Sequence, residues 1–219
     1  MTAGQDVTEL AVPGDPGTAQ DAVAAAFARR TEPVRQLAGQ AAGIAAAAHA
    51  MAVRFHQGGK LVVFGMGAAS TDAQHVAVEF VHPVIVGKRA LPAISLTCDV
   101  ATLTAIAATV GVPSVFAYQI EHLADPADIA FGISPDGNCE SVLAGLRAAR
   151  SVGLLTVALA GGAAGGLIGA EHAADHLLTA ASSDPRVVKE MQVTTYHILW
   201  ELVHVFFEQP AVLGPGVLR

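Results

Sequence analysis

The sequence predicts an α/β fold, a parallel sheet layered between helices, and three observations carry that prediction. Short, mostly apolar runs of strand length alternate with longer stretches of helical period; the runs are 61–64, 93–96, 128–133, 154–159 and 176–178. Turn clusters rich in Gly, Ser, Thr or Asp close them, at Gly65-Met66-Gly67, Thr97-Cys98-Asp99, 134–139 and Ala160-Gly161-Gly162. A chain of 219 residues is also long enough to bury a full core as one domain. Strands alternating with helices imply right-handed crossovers, hence parallel strands and helices on both faces of a three-layer sandwich. Ligands meet such sheets beyond the carboxyl ends of the strands, which directs attention to the turns at 65–71 and 134–139.

In chain order, residues 1–20 contain Asp6, Glu9 and Asp15 among Gly and Pro, with no basic or apolar run, and read as a disordered leader rather than a signal peptide. Residues 21–58 read as N-terminal helices, one over 21–30 and one over 34–57. In the second, Leu37, Ile44, Ala48, Met51 and Phe55 recur at helical spacing, and Gly58-Gly59 ends it. The main α/β domain is expected over 59–209. Its helices follow the first strand to about His82-Pro83, then span 101–108, a segment opened by Pro113, 140–151, and a long closing stretch over 185–208. Pro210 and the Gly-Pro-Gly at 214–216 suggest a flexible tail over 210–219.

Composition excludes several functions. Lys+Arg number 12 against Asp+Glu 19, a net charge of -7, which lacks the basic face that nucleic acid requires. Two cysteines, Cys98 and Cys139, form neither a disulfide framework nor a paired zinc motif. The longest apolar stretch, 41–53, is Ala-rich and too short to span a bilayer, so a soluble, cytoplasmic protein is expected. Only 14% of residues are charged and 53% are hydrophobic, which points to burial of helices between subunits.

The chemistry concentrates after the first strand. Gly67 lets the backbone approach a ligand, Ser70 and Thr71 offer hydroxyls beside a helix start, and His75 and Glu79 lie four apart on that helix. Spacing alone favours reading His75 and Glu79 as an ordinary helix pair, and His197 as a core histidine.

The ordered set of motifs resembles the sugar isomerase (SIS) domain family, and within it the phosphoheptose isomerase group. Gly65-Met-Gly-Ala-Ala-Ser70, Asp72-Ala-Gln-His75-Val-Ala-Val-Glu79, Leu91 to Thr97 with Asp99, Phe131-Gly-Ile-Ser134 with Gly137-Asn138, and His197-Ile-Leu occur in the family's order between Gln57 and Phe206. The resemblance implies a flavodoxin-like, five-stranded parallel sheet and a homotetramer with sites between subunits, its terminal helices serving oligomerisation. It implies an aldose-ketose isomerase acting through an enediol on a sugar phosphate such as sedoheptulose 7-phosphate. Glu79 would be the base, with His197 and His75 as its partners. Substrate would meet Gly67, Ser70, Thr71, Asp99, Ser134, Asp136, Gly137, Asn138, Cys139 and Lys189. Zinc is implied for some members, here through His75, Glu79, His197 and a fourth position where Glu190 stands near Lys189.

The departures define a second reading. The family's phosphate turn, Ser-x-Ser-Gly-Asn-Ser, is here Ser134-Pro135-Asp136-Gly137-Asn138-Cys139. Two unit charges 4 Å apart at an effective dielectric of 20 repel by about 4 kcal/mol, so an ionised Asp136 opposes a phosphate. Either Asp136 fills the anion position itself or it caps the following helix with its carboxylate toward water. Met66, Pro83 and Lys189 replace the family's Asn, Arg and Gln. The alternative is therefore a non-catalytic SIS protein binding a metabolite, a metal or a protein partner, as relatives that act as adaptors for a replication initiator do.

Overall fold

The computed structural model describes residues 16–214. The expected leader lies outside them up to residue 15, and its last five residues do not belong to it: α1 runs Pro16–Ala38, with proline at the helix start where its missing N–H costs nothing. This helix also passes through Pro33, where the sequence suggested a break between two helices. The bend to α2 (Ala41–His56) comes instead at Gly39-Gln40. Gln40 fixes that corner by giving its amide to Thr179 O at 2.7 Å and accepting Thr179 N at 3.0 Å.

β1 (Leu61–Gly65) leads into α3 (Ala69–Val81), and β2 (Ala93–Ser95) into α4 (Val100–Thr109). A 3-10 turn at Val112–Ser114 opens α5 (Val115–Leu123). β3 (Ile129–Ser134), α6 (Glu140–Val152), β4 (Leu155–Gly161), the short α7 (Gly166–Ala170), β5 (His176–Ala180) and α8 (Pro185–Phe207) complete the alternation. The five strands are all parallel and lie in the order β2-β1-β3-β4-β5. The order reverses between β1 and β3, and a ligand crevice opens at such a switch point.

Alternation along the strands feeds two cores. Leu61, Val63, Ile129 and Phe131 face the helices α2, α3 and α8 together with Met51, Phe80 and Leu199. Val62, Phe64 and Ala130 face the opposite layer with Phe116, Ile120 and Leu146. Strand side chains point alternately to the two faces, so both must be apolar in a sheet covered on both sides. Asp128, placed by the sequence in the third strand, instead anchors the chain just before β3. It accepts Lys60 N at 2.9 Å, Lys60 Nζ at 2.5 Å and Asp125 N at 2.8 Å.

The start of the expected flexible tail is also ordered. Pro210–Val212 forms a 3-10 turn, His49 Nε2 bonds Val212 O at 2.9 Å, and Leu213 is buried in the first core. Residues 215–219 lie outside the described ones.

Candidate active site

The turn after β1 sits at the switch point. Gly67 has φ +62° with no atom within 4 Å of where a side chain would start, so the turn is open toward solvent. Thr71 donates to Ala68 O at 2.8 Å, which occupies it locally. The Ser70 hydroxyl has no partner among the described residues, while its carbonyl accepts from Thr97 at 3.3 Å. Asp99 caps α4, accepting Thr102 N at 3.0 Å and Thr102 Oγ1 at 2.6 Å. Those bonds, the side-chain one first, hold its carboxyl below the ordinary aspartate range.

The turn after β3 is closed on itself. Buried Ser134 donates to Asp136 Oδ1 at 3.2 Å, and the same oxygen accepts Asn138 N at 2.9 Å. One carboxylate oxygen of Asp136 thus takes donors that an anion at this turn would use, although the residue as a whole is exposed. Asn138 braces the loop below, its Nδ2 donating to Asp136 O at 3.1 Å and its Oδ1 accepting Leu167 N at 3.0 Å. Gly137, at φ +73°, lies so close to Gly165 that any side chain would collide with that carbonyl. Cys139 N donates to Ser134 Oγ at 3.4 Å, leaving the thiol unpaired and half-buried. On its outer side the turn borders a cavity of about 440 Å³ lined by Pro135, Asp136, Gly161, Gly162 and Ser182.

The titratable groups converge where α8 lies along α3. Paired residues advance together along the two helices: Lys189 Nζ meets Asp72 Oδ2 at 2.6 Å, Tyr196 Oη meets His75 Nδ1 at 2.9 Å, and Trp200 Nε1 donates to Glu79 O at 2.9 Å. His75 Nε2 lies 3.2 Å from Glu79 Oε1, and the ring centroids of His75 and His197 are 5.2 Å apart. Each of His75, Glu79 and His197 places a ligand atom within 4.8 Å of the other two. Glu79 is 8% exposed, whereas the His75 side chain is 44% exposed, so the cluster opens at the surface of the subunit.

Glu190 stands apart from this cluster, contrary to its expected place as fourth ligand. Arg30 grips both of its oxygens, Nε to Oε2 and Nη2 to Oε1, each at 2.6 Å. Lys189 does not reach the cluster either; its ammonium joins Asp72 and Ala68 O, the latter at 3.3 Å, at the mouth of the β1 turn. The residue missed by sequence reasoning is Tyr196. Burial first, then the negative Asp72 and Glu79, push its phenol above the ordinary tyrosine range, so it stays protonated.

Two imidazoles and a carboxylate fit a zinc ion, which takes nitrogen and oxygen donors and, at catalytic sites, keeps a position open. They equally suit proton transfer without one.

An SIS domain model matches residues 26–161, from within α1 to the end of β4. The phosphoheptose isomerase of Solidesulfovibrio magneticus is 43% identical over 171 residues, covering 78% of this chain and 82% of that one. The phosphoheptose isomerase of a Roseiflexus species is 39% identical, covering 80% and 88%. The chain belongs to the SIS domain family, in its phosphoheptose isomerase group. Among solved structures, a phosphoheptose isomerase from Francisella tularensis superimposes on the SIS domain here with a TM-score of 0.78 at 28% identity, covering 85% of this chain and 98% of that one. The Neisseria gonorrhoeae phosphoheptose isomerase gives 0.76, again at 28% identity, covering 84% and 97%. Like its relatives in the group, this SIS domain is an isomerase-type α/β domain, and no described helix is long and apolar enough to cross a membrane.

Proposed function

We propose that this SIS protein interconverts an aldose and a ketose phosphate of the sedoheptulose 7-phosphate type through an enediol. The observation that carries the reading is the convergence of Glu79, His75 and His197 within 4.8 Å of one another beside the switch point. Glu79 removes the proton from the carbon beside the carbonyl and returns it to the neighbouring carbon, while His197 moves the accompanying proton between the two oxygens. Ser70, the Gly67 backbone and Lys189 line the turn from which the substrate's oxygens would be held. Asp99, Gly137, Asn138 and Cys139 shape and brace the rest of the crevice. If zinc binds, His75, Glu79 and His197 hold it, and it supplies Lewis-acid polarisation of the carbonyl. The protein works as a homo-oligomer in the cytoplasm, where a phosphorylated sugar is retained.

A second reading rests on Asp136, whose Oδ1 accepts from both Ser134 and Asn138 N. A ligand lacking a phosphate would suit that turn better. The test is turnover of sedoheptulose 7-phosphate by purified protein, followed by proton NMR with and without zinc. Turnover that Glu79→Gln abolishes supports the isomerase. No turnover in the native protein, together with turnover by Asp136→Ser, moves the substrate to the unphosphorylated class.

A further inference from the structure

A buried amide on α8 stands between the two turns that bound the crevice, and the proposed mechanism does not use it. Gly65, the last residue of β1, pairs with Ile133, so Ser134 lies where the turns after β1 and β3 part. Helix α8 reaches both turns: Lys189 Nζ lies 3.3 Å from Ala68 O, and Gln192 Nε2 donates to Ser134 O at 3.1 Å. Residues three apart are neighbours on a helix surface, so this stretch of α8 floors the crevice. A backbone carbonyl can only accept, so the bond to Ser134 O identifies the nitrogen of the amide and puts Oε1 on its other side. Gln192 is 2% exposed, yet Oε1 accepts no bond among the described residues. Every fully enclosed side-chain nitrogen or oxygen among those residues has a partner. Oε1 is therefore not enclosed, and the small open part of Gln192 includes it.

The groups around it limit what can fill that position. Ser134 Oγ is spent on Asp136 and Cys139 N, and Asp136 Oδ1 on Ser134 and Asn138 N. Gln192 Oε1 is thus an uncharged acceptor without a donor, at the floor of the crevice. A phosphate oxygen or a carbonyl would face it lone pair to lone pair, whereas a hydroxyl would satisfy it. We infer that Gln192 is a specificity-determining residue: its Oε1 accepts a hydrogen bond from one hydroxyl of the sugar chain while its Nε2 holds the turn after β3. The inference takes the sugar from the isomerase reading but does not depend on the reaction.

The test follows the Gln192 side-chain amide of 15N-labelled native protein, assigned by through-bond connection to its own backbone, during titration with sedoheptulose 7-phosphate, free sedoheptulose and monodeoxy analogues of each. The expected result is an amide shift with the parent sugar that one deoxy analogue fails to produce. Gln192→Met keeps the length of the side chain and removes both polar atoms. It should weaken the parent sugar about five- to tenfold, the scale of one neutral hydrogen bond, and leave the affinity for that one deoxy analogue unchanged. A sugar that binds without moving the amide overturns the proposal, since Oε1 then meets only water. Equal shifts from all deoxy analogues, or equal weakening of all of them in Gln192→Met, also overturn it, because a residue that merely braces the turn would act on every ligand alike. The native-protein titration decides the matter even where the variant does not fold. An amide response without turnover sinks the isomerase reading and keeps the proposal; turnover without an amide response does the reverse. Binding of neither sugar overturns both.

Discussion

At the level of single residues, most of the chemistry was legible because it lies close in sequence. His75 and Glu79 are four apart on one helix, and the Nε2 to Oε1 distance of 3.2 Å is what that spacing provides. Glu79→Gln keeps the shape of the side chain and removes the base, so kcat should fall by about 10²- to 10⁴-fold with the thermal transition unchanged. Equal turnover by native protein and Glu79→Gln would remove Glu79 from the mechanism. Tyr196 was not legible, since it precedes His197 as an apparently apolar core position and its partner lies 121 residues away. Glu190 failed for the converse reason. Its place on the helix suits the metal, but an arginine 160 residues away takes it. Asp136 lies between these cases: sequence identified the conflict with phosphate, and only the fold shows one oxygen turned into the turn. Because the residue is exposed, the repulsion is screened to about 1 kcal/mol, the scale of surface charge pairs. Asp136→Ser should therefore bind inorganic phosphate several-fold more tightly in a calorimetric titration, and unchanged affinity would mean that anions never enter this turn.

At the level of elements, the strands and the closing helix were placed within a residue or two because each is a distinct periodic run closed by turn chemistry, whereas the start and the junction of the two N-terminal helices were not. α1 passes through a proline and begins at Pro16, as capping by proline permits but composition hides. The more consequential junction joins α3 to α8. The carbonyl of Glu79 would ordinarily accept from the N–H four residues on, but that residue is Pro83, which has none. Trp200 supplies the missing donor, its Nε1 2.9 Å from Glu79 O, and thereby fastens the Glu79 turn of α3 to α8. Trp200→Phe would keep an aromatic ring there and orphan a buried carbonyl. It should cost about 1–3 kcal/mol of stability by chemical denaturation, the penalty for an unsatisfied buried group. It should also lower kcat, because the carbonyl and side chain of Glu79 belong to one residue. A variant of native stability and native kcat would show that the indole bond holds nothing in place.

At the level of the whole molecule, the low charge content and the placement of the site make one argument. The His75 side chain is 44% exposed in the isolated subunit, an unsuitable setting for an enediol, since proton transfer gains from a site closed to water. The segment leading away from α3 is apolar and uncovered: Val84 is 70% exposed and Val86 fully so, with Val81 and Ile85 beside them. Just beyond those residues the chain is tied to the end of α8, through a bond from His204 Nε2 to Arg89 O at 3.0 Å and an ion pair between Lys88 and Glu208. An apolar strip that leads away from the helix carrying His75 and Glu79 fits a second subunit that covers it and the open cluster. Sedimentation velocity should therefore find an oligomer, and Val84→Asp with Val86→Asp should shift it toward monomer while circular dichroism stays unchanged. Specific activity of that variant should fall with dilution, as dissociation uncovers the site. A native protein that sediments as a monomer and keeps constant specific activity on dilution would mean that the single subunit closes its own site, and the exposed valines would then need another explanation.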